Sequence, residues 1–279
     1  MFGTIEQTMS LIGMSWSVLR RDRELLAFPV MAFLAVAAVV GVFAGIAYET
    51  GTLERLLAAA RRDGSHTELP LGDWVLLGVF YVSVTFTGIF FNAALVAAAL
   101  ERLRGGDPTI ASGLAVAASR WRAILGWAII ATTVGLILQS IRERSGFLGR
   151  IAMAVVEGVW AYVTFMVVPV LVAEGIGPVE AIQRSGSLLR RTWGQQITAG
   201  FGFGVVYVLA MLAALAASVL AFRVSPVLGV PVAALAFTLA LSTVAALEGI
   251  FKAALYEFAS GGSPAGFDRS TLAQAYRAL

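Results

Sequence analysis

Runs of about 20 apolar residues, the length that crosses a hydrocarbon layer as a helix, recur along this chain between short clusters of charge. There are six of them, at residues 25–48, 74–100, 123–141, 151–172, 197–222 and 227–251. The pattern predicts an all-α polytopic membrane protein, one membrane domain over residues 1–279 with six transmembrane helices. Pro169, inside the fourth run, is expected to kink that helix or end it early. The first run is too long for a signal-peptide core of about 7–15 residues and reads as a retained span.

Three of the connections carry a second pattern. From Thr4 to Arg21, the residues Ile5, Met9, Ile12, Trp16 and Leu19 fall three or four apart, an apolar stripe on one helix face, with Gln7, Ser10, Ser17, Arg20 and Arg21 opposite. Residues 109–122, introduced by Asp107 and Pro108, form an alanine-rich version. Residues 178–193 set Val179, Ile182, Leu188 and Leu189 against Glu180, Arg184, Arg190 and Arg191. Amphipathic helices of this kind are expected to lie in the headgroup plane, on the cytoplasmic side. The stretch Ser15 to Arg21 aligns without gaps on Ser185 to Arg191 as S-x-S-[VL]-L-R-R, which raises the reading of three repeated units, each an in-plane helix and a pair of spans.

Composition sharpens the class. The chain is 59% apolar and 13% charged, against about 45–50% and about 25% for a soluble domain. It contains no cysteine and a single histidine, His66, in a polar connection. Thiolate metal sites, disulfides and cysteine nucleophiles are excluded, and neither a metal nor a cofactor is expected. The net charge of +3 comes from Arg clusters and one lysine beside apolar runs, so it encodes topology and not nucleic-acid binding. Counted on alternate sides of the six spans, thirteen Lys and Arg fall with the two termini and seven on the opposite side. Both termini are therefore expected in the cytoplasm, with the protein in a prokaryotic plasma membrane.

Few ionisable groups remain inside the spans, and those are the candidates for function. Glu157 sits six residues into the fourth run with no basic residue within four positions, so it is either an ion or proton ligand on an aqueous path or a carboxylate neutralised by an outer-side Arg. Glu248, Lys252 and Tyr256 follow at intervals of four on one face of the last span, which favours a structural ion pair. Asn92, in the second span, is expected to hydrogen-bond between helices. The pairs Arg20 with Arg21 and Arg190 with Arg191 set topology and are candidates for anionic lipid headgroups. Gly41 with Gly45, and Gly200 with Gly204, have the spacing that lets helices approach closely in lipid. No residues are candidates for catalysis.

One segment carries a family likeness. Pro169, Val170, Leu171, Val172, Ala173, Glu174 and Gly175, then Pro178 to Ser185, Leu188 and Trp193, resemble a P-x-x-x-x-E…EA-x-x-RS…L…W stretch. That stretch belongs to the membrane domain of some bacterial glycerophosphodiester phosphodiesterases and to YciC-like proteins. Ser15, Trp16, Leu19 to Asp22 and Glu24 to Pro29, with Ala253 to Tyr256, Phe267 and Asp268, look more like an uncharacterised prokaryotic family of six-span proteins in the same group. The resemblance implies a six-helix bacterial or archaeal membrane domain and no phosphodiesterase activity, since the soluble barrel has no counterpart here.

The functional expectation is a non-enzymatic integral membrane protein, a lipid-interacting or assembly module of the plasma membrane. The alternative is an oligomeric channel or transporter for an ion or small solute, with Glu157 in its path. Membrane lipids are the expected partners, self-association into a homo-oligomer is left open, and nucleic acid is not expected.

Overall fold

A computed structural model describes residues 2–61, 69–192 and 199–267, all of whose regular structure is helical. In chain order the α-helices are α1 (Phe2–Arg21), α2 (Ala27–Glu49), α3 (Thr52–Arg61), α4 (Leu71–Leu103), α5 (Ile110–Ser119), α6 (Trp121–Arg144), α7 (Phe147–Thr164), α8 (Val167–Glu174), α9 (Pro178–Thr192), α10 (Ala199–Val224) and α11 (Pro226–Ala259). A short 3-10 turn, Arg23–Leu26, feeds α2. Six helical segments are long and apolar enough to cross a membrane, and they match the six runs of the sequence: Arg23–Glu49, Leu71–Leu103, Trp121–Arg144, Phe147–Glu174, Val206–Val224 and Gly229–Ala259.

The fourth segment is broken, and the break is local chemistry. Pro169 lacks an N–H, and its ring would meet the carbonyl of the residue four positions earlier in a continuous helix. The chain therefore stops α7 at Thr164 and restarts at Val167, which moves Pro169 into the first turn of α8, where no intrahelical donor is required. The Met166 N–H freed by the break donates to Ser185 Oγ of α9 at 3.1 Å, in a fully buried setting. At the other end of α8, Gly175 takes the left-handed backbone at φ +68° that ends the helix, and the Arg120 side chain lies directly over it.

Helix α4 is central, touching α2, α5, α6, α8 and α11. The buried core is concentrated at one end of the bundle. It takes Ala93 to Leu100 and Leu103 from α4, Val167 and Val170 to Val172 from α8, and Val244, Leu247, Ile250, Phe251 and Ala253 to Tyr256 from the last half of α11, with Leu25 and Phe28 inserted between them. Elsewhere many large apolar side chains are exposed, among them Val42, Leu148, Leu220 and Val227. That is how a chain reads when lipid, not protein, covers it.

The connections expected on one side of the membrane do meet at that buried end. Asp22, just after α1, pairs with Arg102 at the end of α4, Arg104 pairs with Glu257 at 2.9 Å, and the Ala265 N–H donates to the Leu103 carbonyl at 2.9 Å. At the opposite end Arg55 of α3 pairs with the buried Asp73 at 2.7 Å, and Thr52 donates to the same carboxylate at 2.7 Å. The hydrogen bond from Arg55 to Asp73 pushes the guanidinium pKa above its ordinary value, against a smaller burial penalty.

Part of each of α1, α5 and α9 packs into the bundle, and the expected apolar stripes enter it only in part. On α9, Ala181, Ser185, Leu188 and Leu189 are buried while Val179 and Arg190 are exposed. On α1, Ser15, Val18 and Leu19 are buried and Trp16, expected in the stripe, is exposed; the side chains of Ile5 and Met9 lie outside the described residues. Gly113 of α5 sits so close to α4 that a Cβ there would be 2.7 Å from the Ala94 carbonyl oxygen and 2.7 Å from the Phe28 ring. Thr109 and Ser112 close a reciprocal cap at the start of α5, and Ser112 Oγ donates to Glu101 of α4 at 2.8 Å.

The glycine spacings act elsewhere than expected. A Cβ at Gly41, Gly45 or Gly204 would meet nothing within 4 Å, so none of them carries a close helix contact among the described residues, while the surroundings of Gly200 lie outside them. The close approaches fall at Gly113, at Gly126 against Pro178 and at Gly249 against Leu95, where two helices need the room.

Candidate functional site

At the buried end of the bundle a groove of about 340 Å³ lies between α1, the 3-10 turn and α11. Its floor is apolar, from Leu19 and Leu26, with Thr243 contributed by α11, and its rim is Trp16, Arg20 and Arg23. The Arg20 guanidinium lies 5.5 Å from the centre of the Trp16 ring, a cation–π contact. Neither Arg20 nor Arg23 has an ion-pair partner among the described residues. An indole beside a guanidinium, a second guanidinium without an ion-pair partner among the described residues and an apolar floor can accept an anionic group with an apolar part.

Of the expected pair, then, Arg20 lines the groove, whereas Arg21 is exposed beside it and Arg23 takes the second place. The chain leaves α1 after Arg21 and turns at Asp22 into the 3-10 segment, which brings Arg23 to the groove that Arg20 lines from the last turn of α1. Arg190 is exposed at the end of α9, and the side chain of Arg191 lies outside the described residues, as do Trp193, Asp268 and His66.

Glu157 does not stand alone. Arg142 of α6 donates to both of its oxygens, at 3.1 and 3.2 Å, so its carboxylate is ion-paired with an Arg near the end of the neighbouring helix and not with Arg150 of its own. Glu248 and Lys252 form the expected pair at 2.7 Å. Two groups that the sequence pattern did not single out complete it: Tyr207 of α10 donates to Glu248 at 3.0 Å, and the Phe165 ring lies 5.0 Å from the Lys252 ammonium. Tyr256 turns away from that pair and donates to Glu174 at 3.1 Å.

Glu174 also accepts from Arg184 at 2.9 Å, which raises the Arg184 pKa above its ordinary value despite partial burial. Helices α8, α9 and α11 are therefore joined through Glu174, Arg184 and Tyr256, and through Ser185 at the α7–α8 break. These four residues belong to the stretches on which the family likeness was noted, and here they hold the architecture together. Their pairing was not legible from spacing, because each contact joins different elements: Glu174 of α8 with Arg184 of α9 and Tyr256 of α11, and Ser185 of α9 with the α7–α8 break.

Asn92 departs from expectation. Its amide oxygen is buried and has no hydrogen-bond partner among the described residues, so the interhelical bond expected of it is not made there. It lines a cleft of about 190 Å³ between α2, α4 and α11. Among the described residues no three His, Asp or Glu side chains gather as a metal site would require.

The sequence profile of a family of unknown function, DUF6159, matches residues 72–267, which runs from the start of α4 to the turn after α11. The chain belongs to this family. The matched region contains the Glu174–Arg184–Tyr256 junction, Ser185, Asn92 and the Glu248–Lys252 pair, while α1, α2 and the Arg20 and Arg23 side of the groove precede it. No curated protein and no solved structure matches the chain. The family match carries no relation to the glycerophosphodiester phosphodiesterase membrane domain or to YciC-like proteins.

Proposed function

We propose that this protein is a non-enzymatic, multi-pass module of a prokaryotic plasma membrane that engages anionic phospholipid in the cytoplasmic leaflet through the groove between α1 and α11. The observation that carries the reading is the pair Arg20 and Arg23, with no ion-pair partner among the described residues, beside Trp16 over an apolar floor. Chain sidedness supports it, since the groove lies at the end that holds the larger share of Lys and Arg. A basic side chain near an anionic surface contributes about 1 kcal/mol, so the two together are worth about 2 kcal/mol, or roughly thirty-fold in affinity.

The test uses the purified chain in nanodiscs of phosphatidylcholine doped with phosphatidylglycerol, with co-purifying lipid measured by mass spectrometry. Retention of phosphatidylglycerol over phosphatidylcholine is expected, and Arg20→Gln with Arg23→Gln should remove it; equal retention of both lipids would overturn the reading. A path through Glu157 has a weaker basis, because Arg142 already occupies that carboxylate.

A further inference from the structure

We propose that the cleft between α2, α4 and α11 binds a neutral lipid alcohol, whose hydroxyl hydrogen-bonds to the side-chain amide of Asn92. The site is distinct from the charged groove, and its ligand class follows from depth, charge and an unfilled valence.

Depth comes first. Asn92 precedes Arg102 by ten residues on the continuous helix α4, which at about 1.5 Å per residue places it some 15 Å along the helix from the Arg102–Asp22 pair. Asn92 is therefore nearly three helical turns from that charged pair, and its side-chain oxygen is shielded from solvent by protein, where an unsatisfied amide oxygen is costly. Its Oδ1 is such a group. Thr238 and Ser242, one helical turn apart on α11, bring two hydroxyls to the same cleft.

Charge comes next. No acidic or basic side chain lines the cleft. A phosphate or an ammonium would be stripped of water there with nothing to compensate it, so the ligand is uncharged. A hydroxyl both donates and accepts, and so serves either end of the carboxamide. The way in is through the bilayer: Phe33 and Leu241, at the cleft wall, are 50% and 37% exposed in a part of the chain that faces lipid. A molecule that enters sideways, carries no charge and presents a hydroxyl is a lipid alcohol such as a diacylglycerol.

Space is provided by Gly88, which lines the cleft and at which a Cβ would meet nothing within 4 Å. A larger residue at 88 thus fills the site without forcing the helices apart.

The experiment places the full chain in phosphatidylcholine nanodiscs with a diazirine-bearing diacylglycerol or a diazirine-bearing phosphatidylglycerol, followed by irradiation and peptide mapping. Saturable labelling of α2, α4 and α11 by the diacylglycerol probe is expected, competed by unlabelled diacylglycerol. Asn92→Leu should cut it about tenfold, as loss of one hydrogen bond allows, while raising the melting temperature of the lipid-free protein by removing the orphaned amide. Gly88→Leu should block labelling, and Arg20→Gln with Arg23→Gln should leave it unchanged. Equal labelling by the phosphatidylglycerol probe, full labelling of Asn92→Leu, or no saturable labelling, which would mean that water alone fills the cleft, each overturns the proposal.

Discussion

Replacing Ser185 by alanine isolates the contact that holds the broken fourth span. The Met166 N–H leaves its helical register at the α7–α8 break and is received by Ser185 Oγ at 3.1 Å, with both residues fully shielded from solvent. Alanine fits the space but removes the acceptor. Water cannot replace it, and Pro169 prevents the helix from closing over the break to recover the bond. The cost is that of a buried donor left unpaired, about 1–3 kcal/mol, or roughly 5- to 150-fold in the folding equilibrium.

Ser187 is the internal control. It stands two residues on, and among the described residues its hydroxyl donates only to the Arg184 carbonyl of its own helix, at 2.8 Å, so Ser187→Ala should change stability by less than about 0.5 kcal/mol. Unfolding in mixed micelles with increasing dodecyl sulfate can be followed by tryptophan fluorescence, because Trp160 lies one turn before the break and packs 6.0 Å from the buried Trp127. Hydrogen exchange at the Met166 amide gives a local readout and should speed up in Ser185→Ala alone. Equal stability of Ser185→Ala and wild type, or equal loss in both variants, would refute the reasoning.

Other outcomes follow from the same geometry. Gly113→Ala should cost about 1–3 kcal/mol, because its Cβ meets the Ala94 carbonyl and the Phe28 ring; Gly135→Ala, where a Cβ meets nothing within 4 Å, should be neutral or slightly stabilising in the same titration. Asp22→Asn and Arg102→Gln should each destabilise the protein and show a coupling of about 1–3 kcal/mol in a double-mutant cycle, since the pair joins the end of α1 to α4 in a mostly buried setting. Glu174→Gln weakens two contacts at once, to Arg184 and to Tyr256, so it should lower the melting temperature more than Tyr256→Phe does. Glu157→Gln should leave phosphatidylglycerol retention unchanged, because the carboxylate and Arg142 lie at the other end of the bundle from the groove.

The six spans, their order and the side on which each connection emerges were fixed by local properties of the chain. Apolar length sets a span, charge ends it, and an alternating path forces residues 1–24, 101–122 and 173–192 to one end of the bundle. Even the break at Pro169 is local, because a missing N–H and a ring clash act within four residues. What meets what was decided only by the tertiary structure. Hydropathy does not say that Ser185 caps the break, that Arg142 reaches Glu157, or that Tyr207 completes the Glu248–Lys252 pair, since each contact joins different helices. The glycine spacings misled for the same reason: a small residue permits a close approach, but whether a neighbour takes the space depends on the face it turns to the bundle. Asn92 shows the limit most clearly. Its place in an apolar run marked it as needing a partner, and only the packing of α2, α4 and α11 left its amide oxygen without one beside an open cleft.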